Sequence, residues 1–306
     1  MKIKIVQLKY LLVLAFLTLN AHAEFNEMVV FGDSLSDTGN FASINGAFPS
    51  PPFFQASRVS NGPVAVEGLA EKLGLSVEAS LHLVANTGGS NFAVAAARAG
   101  GNTPIDLTSQ VGAYLLRVGG FASADSLFVM FIGGNDIRDT RDLSRRDARE
   151  TLSAAAAAID QQLRLLIAAG AEHILVVNSA NIGAIPEIRL LADENNKHLA
   201  NQMKRHSIQF NRKLARKVRR IEYDTGLDLV LFDLFSYLQK IFINSEALAY
   251  TNTVDACFST EMLAFNPDCE FGQRFDEYLF FDEIHLTGRS HERVSRAMFA
   301  EVPEKL

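Results

Sequence analysis

The sequence is short of several features that would each point to a different function. It has no His-Glu-x-x-His pair, no phosphate-cradling glycine loop and no Gly-x-Ser-x-Gly elbow, which removes three common catalytic plans. It has no basic tail, and its formal net charge is -6, which argues against a nucleic-acid partner. It has no internal repeat and no low-complexity linker, so one domain is the economical expectation for 306 residues. Cysteine is nearly absent, with only Cys257 and Cys269.

Long apolar runs are missing too. The segment Tyr10 to Leu19 falls well short of the roughly 20 residues that a spanning helix needs. Lys2, Lys4 and Lys9 precede it and Ala21-His22-Ala23 follows as a small-x-small cleavage site, so residues 1–23 read as a signal peptide cleaved after Ala23. Its removal strips three lysines and no acids, taking the charge from -6 to -9. The expected product is a single domain, 24–306, that is secreted or periplasmic. In an exported protein a close cysteine pair in a stretch rich in Asp, Asn, Ser and Thr is expected to be a disulfide rather than a metal or redox site. Two free thiols are the alternative.

What is present centres on Val29-Val30-Phe31-Gly32-Asp33-Ser34. An apolar run from Met28 to Phe31 has the length and branching of a buried strand, and it stops at Gly32. A serine at such a stop is held rigidly with its hydroxyl exposed, and a helix following it would favour negative charge there. By itself Gly-Asp-Ser reads equally as a polar turn. The next stretch, Phe41 to Ser57, holds Phe41, Phe48, Phe53 and Phe54 among prolines, and is expected to be a loop. Its rings either cap the core or form an apolar lip beside Ser34 suited to an acyl chain.

Further on, spacing predicts a helix opened by Asn61 and Pro63 and ending at Leu73, then a short strand from Leu81 to Ala85. Gly88-Gly89 follows, where backbone N–H groups are unshielded, as an oxyanion donor requires, although a plain glycine turn is the simpler reading. Helices are expected over 107–118, 144–169 and 189–223, and strands over 126–132, 173–178 and 228–232. The first of these strands stops at Gly133-Gly134-Asn135-Asp136, repeating the arrangement at Ser34. Strands alternating with helices predict a parallel sheet covered on both faces, with its ligand outside the carboxyl ends of the strands. The 189–223 helix is rich in Lys and Arg, but Leu199, Met203, Phe210, Leu214, Val218 and Ile221 give it a core side, so its basic face reads as solvated rather than as a lipid-binding surface. Residues 234–282 lack clear periodicity and are expected to be loops around the cysteine pair.

Near the end stands Asp282-Glu283-Ile284-His285. A serine nucleophile needs an imidazole to take its proton and a carboxylate to orient that imidazole, and a three-residue spacing lets one turn present both. The same spacing also caps helices.

Taken together, Gly-Asp-Ser-Leu-Ser at 32–36, Gly-x-Asn at 89–91, Gly-x-Asn-Asp at 133–136 and Asp-x-x-His at 282–285 resemble the GDSL family of the SGNH hydrolase superfamily. The resemblance implies a three-layer α/β/α fold with a flavodoxin-like parallel sheet, and no metal or organic cofactor. It implies Ser34 as nucleophile, His285 as general base and acid, and Asp282 as its orienting carboxylate. The N–H groups of Ser34 and Gly89 and the Asn135 amide would form the oxyanion hole. Phe31 to Asn40 and Ser-Asn-Gly-Pro-Val at 60–64 are similar to the exported bacterial lipolytic branch, which includes lysophospholipases A and glycerophospholipid–cholesterol acyltransferases. That branch implies a lipid or lysophospholipid substrate, a sterol as a further acyl acceptor, contact with a membrane surface and a disulfide near the dyad, which Cys257 and Cys269 would fit. Two departures stand out: Ala95-Ala96-Ala97 where the family often has glycines, and Leu286 where proline is common. The alternatives are a short-chain or carbohydrate O-acetyl esterase and a non-catalytic adhesin or binding module on the same fold.

Overall fold

The computed structural model describes residues 25–46, 53–84, 88–192 and 196–305. The signal-peptide reading lies outside these residues, as do Phe48 and Ala85. In chain order the elements are β1 (Glu27–Gly32), α1 (Asn40–Asn45), α2 (Ala65–Lys72), α3 (Leu107–Arg117), β2 (Ser126–Phe131), α4 (Gly134–Asp139), α5 (Arg145–Ala168) and β3 (His173–Val177). They continue with α6 (Pro186–Leu191), α7 (Leu199–Thr225), β4 (Val230–Phe232), α8 (Leu234–Ile243), β5 (Asn252–Ala256), β6 (Phe258–Ser259), β7 (Ala264–Phe265), β8 (Tyr278–Phe280) and α9 (Gly288–Lys305).

Strands β1 to β4 form a parallel sheet in that order, with Val29 beside Phe128, Val129 beside Leu175 and Leu175 beside Val230. Met28 to Phe31 and all of β2 are buried, the continuous apolar pattern of strands covered on two faces. The segment around Asn91 adds to the free side of β1: Val30 N donates to Ser90 O, and Phe92 N to Val30 O. Counted with that segment, the order along the sheet is 2-1-3-4-5, the flavodoxin-like arrangement expected. Helices α3, α5 and α7 pack on one another, and α2 packs on α9, completing a three-layer α/β/α fold.

Three expectations about the elements need correction. Leu81 to Val84 is a turn, not a strand: Leu81 takes a positive φ of 52°, and its N–H donates to the Asn40 side chain instead of a sheet partner. The helix expected over 189–223 is two helices, α6 and α7: Ala192 leaves helical geometry with a ψ of 75°, and α7 begins at Leu199. Residues 234–282 are not all loop, since they open with the ten-residue α8. No helix follows Ser34 directly; α1 begins six residues later at Asn40.

The chain stops at Gly32 for a packing reason. A Cβ there would sit 2.6 Å from the Phe131 carbonyl, and both backbone polar groups of Gly32 are held by the buried Gln110 amide at 2.9 and 2.8 Å. Those bonds end β1 without leaving an orphaned group.

Candidate active site

Past Gly32 the backbone makes one uncontinued helical turn, in which the N–H groups of Ser36 and Asp37 both donate to Asp33 O at 3.0 Å. This turn lifts Ser34 over the carboxyl end of the sheet. Asp37 locks it: one carboxylate oxygen accepts from the N–H groups of Gly39 and Asn40, and the other from those of Phe41 and Ala95.

The Ser34 Oγ lies 2.8 Å from His285 Nε2, and His285 Nδ1 lies 2.8 Å from both Asp282 oxygens. All three residues are buried. Asp282 also accepts the backbone N–H groups of Ile284 and His285. Burial works against its charge, but the His285 imidazole and these donors outweigh it, leaving its pKa below the usual carboxylate value. An imidazole so oriented has its Nδ1 proton committed to Asp282, and its Nε2 lone pair is free to receive the Ser34 proton.

Asn135, on the first turn of α4, donates from Nδ2 to Ala97 O at 2.9 Å, and its Oδ1 accepts from Arg138. Arg138 is itself held by a bidentate pair with Glu187. With the amide oxygen occupied, the NH2 group is turned toward the Ala97 side and keeps a second proton to donate. Among the described residues the Ser34 N–H has no protein acceptor. Burial pushes the Asp33 carboxyl up to about 7 and the Asp136 carboxyl up to about 6, which lessens negative charge beside Ser34 in mildly acidic solution.

The family profile described as GDSL-like Lipase/Acylhydrolase matches residues 28–298. The chain belongs to this family. Membership makes ester-bond hydrolysis its class of activity. This GDSL-family chain is 23% identical over 332 residues to a GDSL esterase/lipase of Arabidopsis thaliana, covering 94% of this chain and 90% of that protein. It is 25% identical over 238 residues to the phosphatidylcholine-sterol acyltransferase of Aeromonas hydrophila, covering 76% of this chain and 66% of that one. With Lipase 1 of Photorhabdus luminescens it shares 31% over 171 residues, 55% of this chain, and spans only 24% of that longer relative. Among solved structures, a catalytic mutant of an acetylxylan esterase from Geobacillus stearothermophilus aligns at a TM-score of 0.48 and 16% identity, covering 91% of this chain and 94% of that one.

Gly89 is not brought to Ser34. It lies at the other end of β1, in a surface depression with Asn26 and Glu27, and its carbonyl accepts from Arg117. At a rise of about 3.3 Å per strand residue it is on the order of 15 Å from Ser34. Glycine is required there because a Cβ would sit 2.2 Å from the Ala79 carbonyl. Asn91 is likewise a buried crosslink, donating to Ser36 O and Thr38 Oγ1. The backbone that does reach the Ser34 turn is the turn 94–97: Val94 N donates to Gly32 O, Ala95 N to Asp37, and Ala97 O accepts from Asn135. At its exposed tip Ala96 holds a φ of 68°, and its N–H has no acceptor among the described residues. The signal for it was the Ala95-Ala96-Ala97 departure, since a positive φ is where glycine is favoured.

Among the described residues of the aromatic loop, Phe41, Phe53 and Phe54 do not line the Ser34 cavity. Phe53 stacks on Phe258 at 5.0 Å, and Phe54 packs edge-on against Phe281 at 5.2 Å, so the rings brace the segment that leads into Asp282. The apolar wall comes instead from α8, whose Leu234, Leu238 and Phe242 line a narrow, solvent-open cavity shared with Ser34, Asn135 and His285.

Cys257 and Cys269 form a disulfide. Its strand is tied to the dyad loop, since Cys257 N donates to Phe280 O, Phe258 N to Phe281 O, and Thr260 to the Glu283 carboxylate. A loop this short is worth about 3 kcal/mol in the chain-entropy model. Cys269→Ser is therefore expected to lower the melting temperature and to reduce turnover by loosening Asp282 and His285. Equal activity of the reduced and oxidised protein on one substrate would remove the bridge from any part in positioning the dyad.

Proposed function

We propose that this chain is an exported serine esterase, folded as one domain over 24–306, that cleaves carboxylic acyl esters of lipids, with lysophospholipids as its leading substrate class. The observation that carries this reading is the Ser34–His285–Asp282 hydrogen-bond chain opening directly onto an apolar cavity. Ser34 Oγ attacks the ester carbonyl carbon as its proton passes to His285 Nε2. The tetrahedral oxyanion is held by the Ser34 N–H, the Asn135 amide and the Ala96 N–H, the last in place of Gly89. His285 then protonates the departing alkoxide, and water attacks the acyl-enzyme with His285 again as base. A sterol hydroxyl replaces water where acyl transfer occurs, which the name of the Aeromonas relative supports.

Loss of one oxyanion donor typically costs on the order of 10²–10³ in kcat. Asn135→Ala is expected to show that loss with KM little changed, and near-wild-type turnover would take Asn135 out of the reaction.

The test of the whole reading is fatty-acid release from a lysophospholipid by the purified protein beside a Ser34→Ala control. Release that vanishes in the variant is the expected result. Ser34-dependent cleavage confined to acetyl esters would overturn the lipid assignment and leave a short-chain esterase.

A further inference from the structure

We propose that the substrate's acyl chain lies along one face of α8, and that Leu238 and Phe242 set the length of chain accepted. This rests on the lipid-esterase reading above and deepens it.

Three observations carry the assignment. The first is continuity: the cavity lined by α8 is the one lined by Ser34 and His285, so a chain attached to the reacting carbonyl has this space beside it. The second is the pattern on α8, where Leu234, Phe235, Leu238, Gln239 and Phe242 all face the cavity. Their spacing of one, four, five and eight residues marks one side of a helix. Gln239 is the only polar side chain that α8 contributes, so an acylated sugar would find few partners for its hydroxyls along this wall, whereas methylenes need none.

The third is that the wall is preformed. Asp233 caps α8 by accepting from Ser236 N and is held by Asn178, whose own Oδ1 accepts from Phe235 N. On the outer side Tyr237 donates to Arg293 O on α9. At its last turn, the Phe242 ring meets Phe280 at 6.4 Å. The helix is thus fixed at its start, its outer side and its end, so the face it turns to the cavity is held in place.

From Leu234 to Phe242 the face runs eight residues, about 12 Å at the helical rise. A zigzag of C–C bonds of about 1.5 Å covers that distance in roughly ten carbons. Medium chains are therefore expected to give the highest kcat/KM. Leu238→Trp fills the middle of the channel, and Phe242→Ala removes bulk from one end, so the two variants move the preference in opposite directions.

The experiment is a series of p-nitrophenyl esters from acetate to palmitate, read with the whole protein as ratios of kcat/KM. Leu238→Trp is expected to lower the decanoate-to-acetate ratio at least tenfold, and Phe242→Ala to raise the palmitate-to-decanoate ratio severalfold. Reading ratios separates a filled channel from a damaged fold, which lowers every ester alike. A wild type that prefers medium chains, with both ratios unmoved in the variants, overturns the α8 channel and leaves the lipid reading standing. A wild type that cleaves only acetate overturns the lipid reading itself, before any variant is compared.

Discussion

Ser34→Ala and His285→Ala are each expected to lower kcat by about 10⁶, and the double variant to be no worse than either single one. The expectation follows from one hydrogen bond. Ser34 Oγ and His285 Nε2 are 2.8 Å apart in a buried pair, so neither can act without the other. A hydroxyl without its base is a poor nucleophile at neutral pH, and a base without the hydroxyl has no proton to take. Losses in a unit of this kind do not add. Rates measured for the two singles and the double under single-turnover conditions check the point. Additive losses would mean that the two side chains act in separate steps. A His285→Ala protein with near-wild-type turnover would show that another base serves Ser34.

The sequence was most legible where a residue's environment is uniform along its element. Strands β1 and β2 are covered on both faces, so their apolar runs are unbroken and their ends are marked by glycine. Helices α5 and α7 each have a core side and a wet side, and the buried apolar residues of α7, from Leu199 through Ile221, are the ones its spacing predicts, with Ser207 buried among them. The Asp282–His285 pair was legible because the turn that joins them is local, three residues long and closed by its own backbone.

Where two demands met on one element, the pattern blurred. Helix α8 turns Leu234, Phe235, Leu238 and Phe242 to the cavity and buries Ile241 on another side, so apolar residues stand on two faces of only ten residues and its stripe is short. Gly89 was misread because a glycine forced by close packing and a glycine offering an N–H look alike in sequence; only the register of Ser90 on Val30 separates them. Phe53 and Phe54 are exposed by their loop chemistry but covered by Phe258 and Phe281, contacts made across more than 200 residues. The disulfide strand that supplies Phe258 is also what fixes the height of the dyad loop. The aromatic cluster and the bridge therefore act as a single support behind Asp282.

Asp282→Asn is expected to cost about 10⁴ in kcat while leaving the fold in place. The asparagine can keep one oxygen on the N–H groups of Ile284 and His285, which hold the turn. Its NH2 group then faces Nδ1, where a carboxylate stood, and donates instead of accepting. His285 must respond by carrying its proton on Nε2, which points that proton at Ser34 and leaves no lone pair to receive the hydroxyl's. The same substitution has a signature in stability. The native Asp282 pKa is lowered, so its ionised form contributes stability above the ordinary carboxylate pKa, and that contribution is lost as pH falls through the lowered value. Asparagine does not titrate. The melting temperature of the variant is therefore expected to lie below wild type at neutral pH, with the gap closing as the solution is acidified. Parallel melts across that range, with kcat measured at neutral pH, test both halves. A variant with full turnover would mean that the imidazole is oriented without Asp282, and a melting gap that widens in acid would mean that the carboxylate is neutral in the native protein.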